Sequence, residues 1–146
     1  MGVIMVTKQL SVFIENRKGR LDEVLSVLKE NGVNIISMSL ADTQEYGLLR
    51  LIVTNASLGK EKLLENGFSS LLTDVFVIKI AHETGNLQTL LKVFSDKDIN
   101  IDYMYGLSVN GGDAYIVLKT SQLEITKQVL KENNVQTLTE KDIEKL

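Results

Sequence analysis

The spacing of apolar residues changes period several times along the chain, and the changes occur in the same order twice. Leu10, Val12 and Ile14 alternate with Ser11, Phe13 and Glu15, a period-two run that predicts a strand. Leu21, Val24, Leu25 and Leu28 then fall at i, i+3, i+4 and i+7, which predicts a helix burying one stripe while Asp22, Glu23, Lys29 and Glu30 face water. Asn31-Gly32 supplies the stop, because glycine readily takes the left-handed conformation that closes a helix. Residues 33–40 and 48–54 read as two further strands forming a hairpin around Asp42-Thr43-Gln44-Glu45-Tyr46-Gly47. A shorter helix over 58–65 exits through Asn66-Gly67 into a strand over 68–72. The predicted order is β-α-β-β-α-β.

Sixty-six residues further on the pattern repeats. Residues 75–81 form a strand, Leu87, Leu90, Leu91 and Phe94 repeat the helical stripe, and Asn100-Ile101 repeats Asn34-Ile35. Met38 aligns with Met104, Thr54 with Thr120, Leu64 with Leu130 and Leu72-Thr73 with Leu138-Thr139, so the repeat runs over the entire unit without a gap. Asn110-Gly111-Gly112-Asp113 is the second hairpin turn, and Ser121-x-x-Glu124 reads as a capping box for a helix carrying Ile125, Val129 and Leu130. Beyond Thr139, the spacing of Asp142, Ile143 and Leu146 predicts one docked helical turn.

This pattern predicts an α+β protein of two ferredoxin-like βαββαβ modules, residues 1–73 and 74–146, each an antiparallel sheet with its helices on one face. Only Thr73-Asp74 separates the last strand of one module from the first of the next. In this topology the second strand of each module is an edge, and edges seek partners. Pairing 33–40 with 101–109 would join the modules side by side into one sheet of about eight strands, and a strand exchange through the short junction is the other arrangement. Apolar residues on both faces of the third strand, Leu48 and Ile52 beside Leu49, Leu51 and Val53, predict an uncovered sheet face that a homodimer would cover.

The chemistry-bearing residues are sparse. The 146 residues include no Cys, which removes disulfides, thiol nucleophiles and thiolate metal sites and favours a cytoplasmic location. No apolar run approaches a membrane span, and a net charge of −3 gives no attraction to nucleic acid or to an anionic membrane. No His/Asp/Glu spacing suggests a metal cluster, no phosphate loop is present, and no cofactor is implied. His82 is the one histidine, without a nucleophile and orienting acid around it, so no catalytic residue is assigned. Two glycine turns remain, Glu15 to Leu21 around Gly19 and Ala81 to Leu87 around Gly85, each between a strand and a helix start. Glycine there lets the chain reverse, and a helix start also favours a carboxylate or phosphate. Arg17, Lys18 and Arg20 add positive charge beside Gly19, while His82 and Asn86 flank Gly85, so the Gly19 turn is the better carboxylate holder of the two. Asn34 and Asn100 are turn residues at the strand entry, or side-chain amides that bond a ligand. Tyr103 and Tyr105 alternate on one side of their strand with Ile101 and Leu107, as packing residues.

A strand, then Asn/His-x-x-Gly-x-Leu, an apolar helix, and Gly-Val-Asn-Ile or Asp-Ile-Asn-Ile entering an edge strand resembles the ACT domain, a regulatory amino-acid-binding module, over residues 8–73 and again over 75–139. The family commonly shows Asp-x-Pro-Gly-x-Leu at the first turn; here Asn16 and Lys18, then His82 and Thr84, stand at the Asp and Pro positions. The resemblance implies an amino acid or similar metabolite bound at an interface between paired modules. Position by position it nominates Asn16, Gly19, Leu21, Asn34 and Ile35, with His82, Gly85, Leu87, Asn100 and Ile101. It also implies a freestanding tandem ACT protein, not an enzyme itself, that regulates a partner enzyme or pathway in trans. The alternative is a ligand-free scaffold or oligomerisation module using its edge strands and open sheet face. A small enzyme using His82 and an RNA-binding module of the same topology are further readings, the latter opposed by the acidic composition and the lack of an aromatic-basic central strand.

Overall fold

The computed structural model describes residues 4–42, 45–80, 85–107 and 114–146. Its elements run β1 (Thr7–Glu15), α1 (Arg20–Glu30), β2 (Ile35–Asp42), β3 (Tyr46–Val53), α2 (Ala56–Glu65), β4 (Ser69–Ile80), α3 (Asn86–Asp96), β5 (Tyr103–Leu107), β6 (Ala114–Lys119), α4 (Leu123–Glu132) and α5 (Glu140–Glu144). The chain forms two compact units. One takes in Lys8–Thr73 and Ile143–Lys145; the other takes in Asp74–Asp142, the N-terminal residues through Thr7, and Leu146.

In the first unit the strand order is β2-β3-β1-β4, the order of a ferredoxin-like module. Antiparallel register sets Leu10 against Leu51, Glu15 against Tyr46, and Asp42 against Gly47. Even positions of β1 and odd positions of β3 therefore share a face, and Leu10, Val12, Ile14, Leu49, Leu51 and Val53 meet Val24, Val27 and Leu28 of α1 and Leu63 of α2 in one buried core. Asn55 starts α2 by accepting the Leu58 N–H at 3.1 Å, so this helix begins two residues before the predicted Leu58.

The second unit repeats the plan with the order β4-β6-β5. Residues 136–138 run along β4, with Lys79 N–H donating to Gln136 O and Leu138 N–H to Val77 O. Its core gathers Phe76, Ile78, Leu90, Phe94, Leu118, Val129 and Leu130, and Ile4 and Val6 pack against it. Thr7 Oγ1 donates to Leu138 O at 3.1 Å, and the Met5 N–H to Thr137 Oγ1 at 3.2 Å. The predicted C-terminal turn is α5, closed by Thr139 and Asp142, which exchange bonds from the Thr139 N–H to Asp142 Oδ2 and from the Asp142 N–H to Thr139 Oγ1.

Five readings of the sequence change. The strands expected over 68–72 and 75–81 are one continuous strand, because Thr73 and Asp74 contain no glycine or proline to break it, and the division between the two units, after Thr73, falls within that strand. The edge strands do not pair with one another: among the described residues β2 bonds to β3 alone and β5 to β6 alone. The repeat is also not gapless. Leu10 faces Leu51, whereas its counterpart Phe76 faces Leu118, so the offset rises from sixty-six to sixty-seven through one extra residue between Leu107 and Ala114. Buried Leu63 is thus the counterpart of buried Leu130, and Leu64, 70% exposed, is not. α4 begins at Leu123 after Gln122, and the Ser121 hydroxyl bonds Asp102 instead of capping the helix. Lastly, Ile52 is fully buried, and Gln9 and Ser11 on the same face are buried with Gln9 Nε2 donating to Ser11 Oγ. The apolar sheet face expected to be open is covered there, and exposed apolar surface persists at its end, at Phe13 and Tyr46. The second hairpin turn, Asn110 to Asp113, lies outside the described residues, as do Thr43 and Gln44.

Candidate functional site

Each glycine turn places a helix start at the end of a central strand. After Glu15 the Asn16 N–H donates to Glu45 O at 3.3 Å and the Arg17 N–H folds back on Glu15 O at 2.8 Å. Gly19 then takes φ 89, ψ −12 and its carbonyl accepts the Glu23 N–H at 3.0 Å. Gly85 repeats this with φ 89, ψ −5, its carbonyl accepting both the Thr89 N–H and Thr89 Oγ1 at 2.9 Å. This left-handed backbone strains any residue with a Cβ, which explains the recurrence of glycine. Neither glycine contributes a side-chain cap, and in the first turn the Arg20 N–H returns to Arg17 O at 3.4 Å. A Cβ built on either glycine meets nothing within 4 Å, so both turns stand open. Leu21, Asn86 and Leu87 are half-buried beside them, and His82 lies outside the described residues.

Two of the three basic residues of the Gly19 turn, Arg17 and Arg20, are already engaged. Arg17 Nε lies 3.2 Å from Glu15 Oε2, an exposed pair of small energetic weight. Arg20 Nη1 donates to Glu23 Oε2 at 2.7 Å, and its guanidinium lies 4.3 Å over the Phe68 ring. Arg20 Nε is buried without a hydrogen-bond partner. The charges of Arg17 and Arg20, expected to serve an anion, are therefore matched within the module.

Asn34 and Ile35 lie at the opposite end of their sheet from Gly19. Ile35 is in register with Val53, the Asn34 N–H donates to Thr54 Oγ1 at 3.0 Å, and Glu15, which leads into the glycine turn, faces Tyr46. An eleven-residue helix at 1.5 Å per residue sets the two ends about 16 Å apart. The second unit separates Gly85 from Asn100 and Ile101 in the same way, since β4 ends with Ile80 against Ala114 while β5 starts with Tyr103 against Lys119. Among the described residues each module thus gathers those nominated into two groups, one per sheet end.

At the start of β5 the structure adds a cluster that residue spacing did not reveal. Asp102 accepts from Ser121 Oγ at 3.0 Å and Asn100 Nδ2 at 3.2 Å, with Lys119 Nζ 3.5 Å away. The Ser121 hydrogen bond leads the effects that hold its carboxyl below the ordinary carboxylate range, with Asn100 and Lys119 assisting against partial desolvation. Gln122 braces the same corner, its Oε1 accepting the Asn100 N–H and its Nε2 donating to Asp98 O. Ser121 and Asp102 lie nineteen residues apart, which hid the pairing. Tyr103 and Tyr105 lie on one side of β5 with rings 6.5 Å apart, as their alternation predicts. Among the described residues no three His, Asp or Glu side chains gather as a metal site, and no helix is long and apolar enough to cross a membrane.

Two such modules in tandem, each with a glycine turn between its first strand and first helix, define a repeated ferredoxin-like α+β pair. The model of the ACT domain pair matches residues 5–146, and the chain belongs to that family. It is similar over 99% of its length, and over 100% of the other chain, to protein BT0572 from Bacteroides thetaiotaomicron, with 35% identity and a TM-score of 0.91. The ligand-free regulatory subunit of aspartate kinase from Thermus thermophilus shares the fold at 12% identity and a TM-score of 0.60, covering 90% of this chain and 93% of that one. E. coli aspartokinase III, in complex with aspartate and ADP, shares it at 14% identity and a TM-score of 0.54, over 87% of this chain and 31% of that one. No curated protein sequence matches significantly.

Proposed function

We propose that this ACT pair binds an amino acid or a similar small metabolite at its glycine turns and regulates a partner enzyme or pathway in trans. The observation that carries this reading is the duplicated, uncapped helix start, with Gly19 and Gly85 sharing φ 89 and open space around both. Amide groups in that setting receive a carboxylate well. The shared fold of an aspartate kinase regulatory subunit supports the regulatory half of the reading. A ligand bound to one arrangement of the modules in preference to another would shift their population, and the partner would read that shift.

A homodimer in the cytoplasm belongs to the same proposal. The edge strand β2 exposes Met38 and Leu40, and an unpaired apolar edge is a surface that a second copy can cover. The test is calorimetry with each of the twenty common amino acids, beside light scattering for mass. Saturable heat with at least one amino acid, and a mass of two chains, is expected. If none gives heat or a thermal shift while a partner protein is still captured, the chain is a scaffold and the sensor reading is wrong.

A further inference from the structure

Between the end of β4, α3 and the C-terminal end of α4, within the second unit, lies a cavity of about 270 Å³. At the equivalent corner of the first unit Arg20 lies over the Phe68 ring and pairs with Glu23. Taking the offset as sixty-six at α3 and sixty-seven at α4, Asn86, Thr89 and Val135 stand where the first unit has Arg20, Glu23 and Phe68. The α4 offset is fixed by helix closure: the Phe68 N–H returns to Leu63 O and the Val135 N–H to Leu130 O, both at 2.9 Å. Gly67 and Asn134 carry the matching positive φ. In the first unit the Arg20 guanidinium stacks on buried Phe68 and pairs with Glu23 at the surface, so a cation covers the ring at this corner. Three shorter side chains replace them in the second unit and leave the space open.

Resting on the small-ligand reading above, we propose that this cavity is a binding site for an α-amino acid with a short aliphatic side chain. Size is the first argument. The volume falls just below the roughly 300 Å³ at which pockets for drug-sized molecules begin, which suits an amino acid. Lining is the second. Leu90, Val93 and Val135 offer an apolar wall, and the first turn of α3, which has no side-chain cap, contributes Asn86 to the rim. That turn suits a carboxylate. Hydrogen-bond direction is the third. Thr89 Oγ1 spends its proton on Gly85 O, and Asn133 Nδ2 spends one of its protons on Val129 O, so Thr89 Oγ1 and Asn133 Oδ1 remain as acceptors. A guest carrying both a carboxylate and an N–H donor fits that set; a 2-oxo acid of the same shape brings no donor. On this proposal the carboxylate lies on the Gly85 side and not at the Gly19 turn, because in the first unit Arg20, Glu23 and Phe68 meet one another.

The experiment is calorimetry of the full chain with valine, leucine and isoleucine, and with the 2-oxo and 2-hydroxy analogues of valine. One of the amino acids should bind once per chain, and the 2-oxo analogue of valine at least tenfold more weakly than valine. The double variant N86R/V135F, which rebuilds the first unit's plug, should lose at least tenfold in affinity while keeping the wild-type circular dichroism. Thr89→Val, which removes an acceptor without adding bulk, should weaken binding severalfold and serves if the double variant fails to fold. The reverse variant R20N/E23T/F68V should raise the stoichiometry towards two. An affinity unchanged by both the plug and Thr89→Val overturns the cavity site while leaving the broader ligand-binding function standing. Equal binding of the 2-oxo analogue overturns the assigned class, and absence of heat with all three aliphatic amino acids overturns the site, even if another of the twenty binds.

Discussion

Replacing each of three glycines by alanine separates backbone demand from available space. Gly19, Gly85 and Gly106 all have open surroundings, with nothing within 4 Å of an added Cβ. Only Gly19 and Gly85 have positive φ, 89 in both cases. Alanine in that left-handed conformation costs about 1–2 kcal/mol. Its smaller unfolded-state entropy returns about 0.4–1 kcal/mol. The net expected loss is about 1 kcal/mol for Gly19→Ala or Gly85→Ala. Gly106 lies exposed within β5, where glycine is worse than alanine by about 0.5–1 kcal/mol, so Gly106→Ala should stabilise by that amount. At this chain length about 1 kcal/mol corresponds to about 4 °C in Tm. The two classes should thus separate by about 6–8 °C, with opposite signs. Thermal unfolding followed by circular dichroism would measure this, and urea denaturation would read the same difference as a free energy, with an unchanged m value showing that stability alone moved. Gly85→Asn should fall between, since asparagine tolerates this conformation. If Gly85→Ala proved neutral or stabilising, or Gly106→Ala the more damaging, the recurrence of glycine in the turns could not be assigned to backbone conformation, and a ligand requirement would have to account for it.

Three other substitutions test particular contacts. Gly59→Val should destabilise by about 1–3 kcal/mol in a denaturant titration, because even a Cβ there lies 3.1 Å from Leu10 Cδ2 and 3.2 Å from Leu28 Cδ2, both in fully buried side chains. Asn55→Ala removes the bond to the Leu58 N–H and should cost about 1 kcal/mol, read as a lower Tm. Asp102 has a depressed pKa, so its ionised form contributes stability above the ordinary carboxylate value, and that contribution disappears as the pH falls through the depressed one. Wild type should therefore exceed Asp102→Asn in Tm at neutral pH, with the gap closing in acid, and Ser121→Ala should narrow the neutral gap; a gap that is flat or widens on acidification refutes the assignment.

The fold was legible because its signals are local. Val24 and Leu28 show the helical stripe within one turn, and Asn31-Gly32 marks its end within two residues. Features that depend on residues far apart in the chain were not legible. Arg20 meets Phe68 forty-eight positions away, so sequence alone counted its guanidinium as available charge. The extra residue between Leu107 and Ala114 was hidden because chance identities, such as Leu64 with Leu130, preserved a false register through the second half of the repeat. One inference could have been made without a structure. Gly19 and Asn34 bracket an eleven-residue helix, and the length of that helix alone keeps the two from touching one ligand within the same module.

The two modules retained the residues that the backbone requires and diverged where a ligand could be accommodated. Gly19 and Gly85 share one φ, and Leu63 and Leu130 are equally buried, because a change at either costs the fold. Arg20, Glu23 and Phe68 contrast with Asn86, Thr89 and Val135 at positions that the fold tolerates in either form. A plugged module gains a stacked cation and an ion pair; an open one forgoes those contacts. A guest that binds the second module's groove in the folded state stabilises that module by mass action, with no counterpart in the first. On this basis a bound amino acid should raise the stability of the second unit selectively, and hydrogen exchange should show added protection in α3 and α4 ahead of α1 and α2.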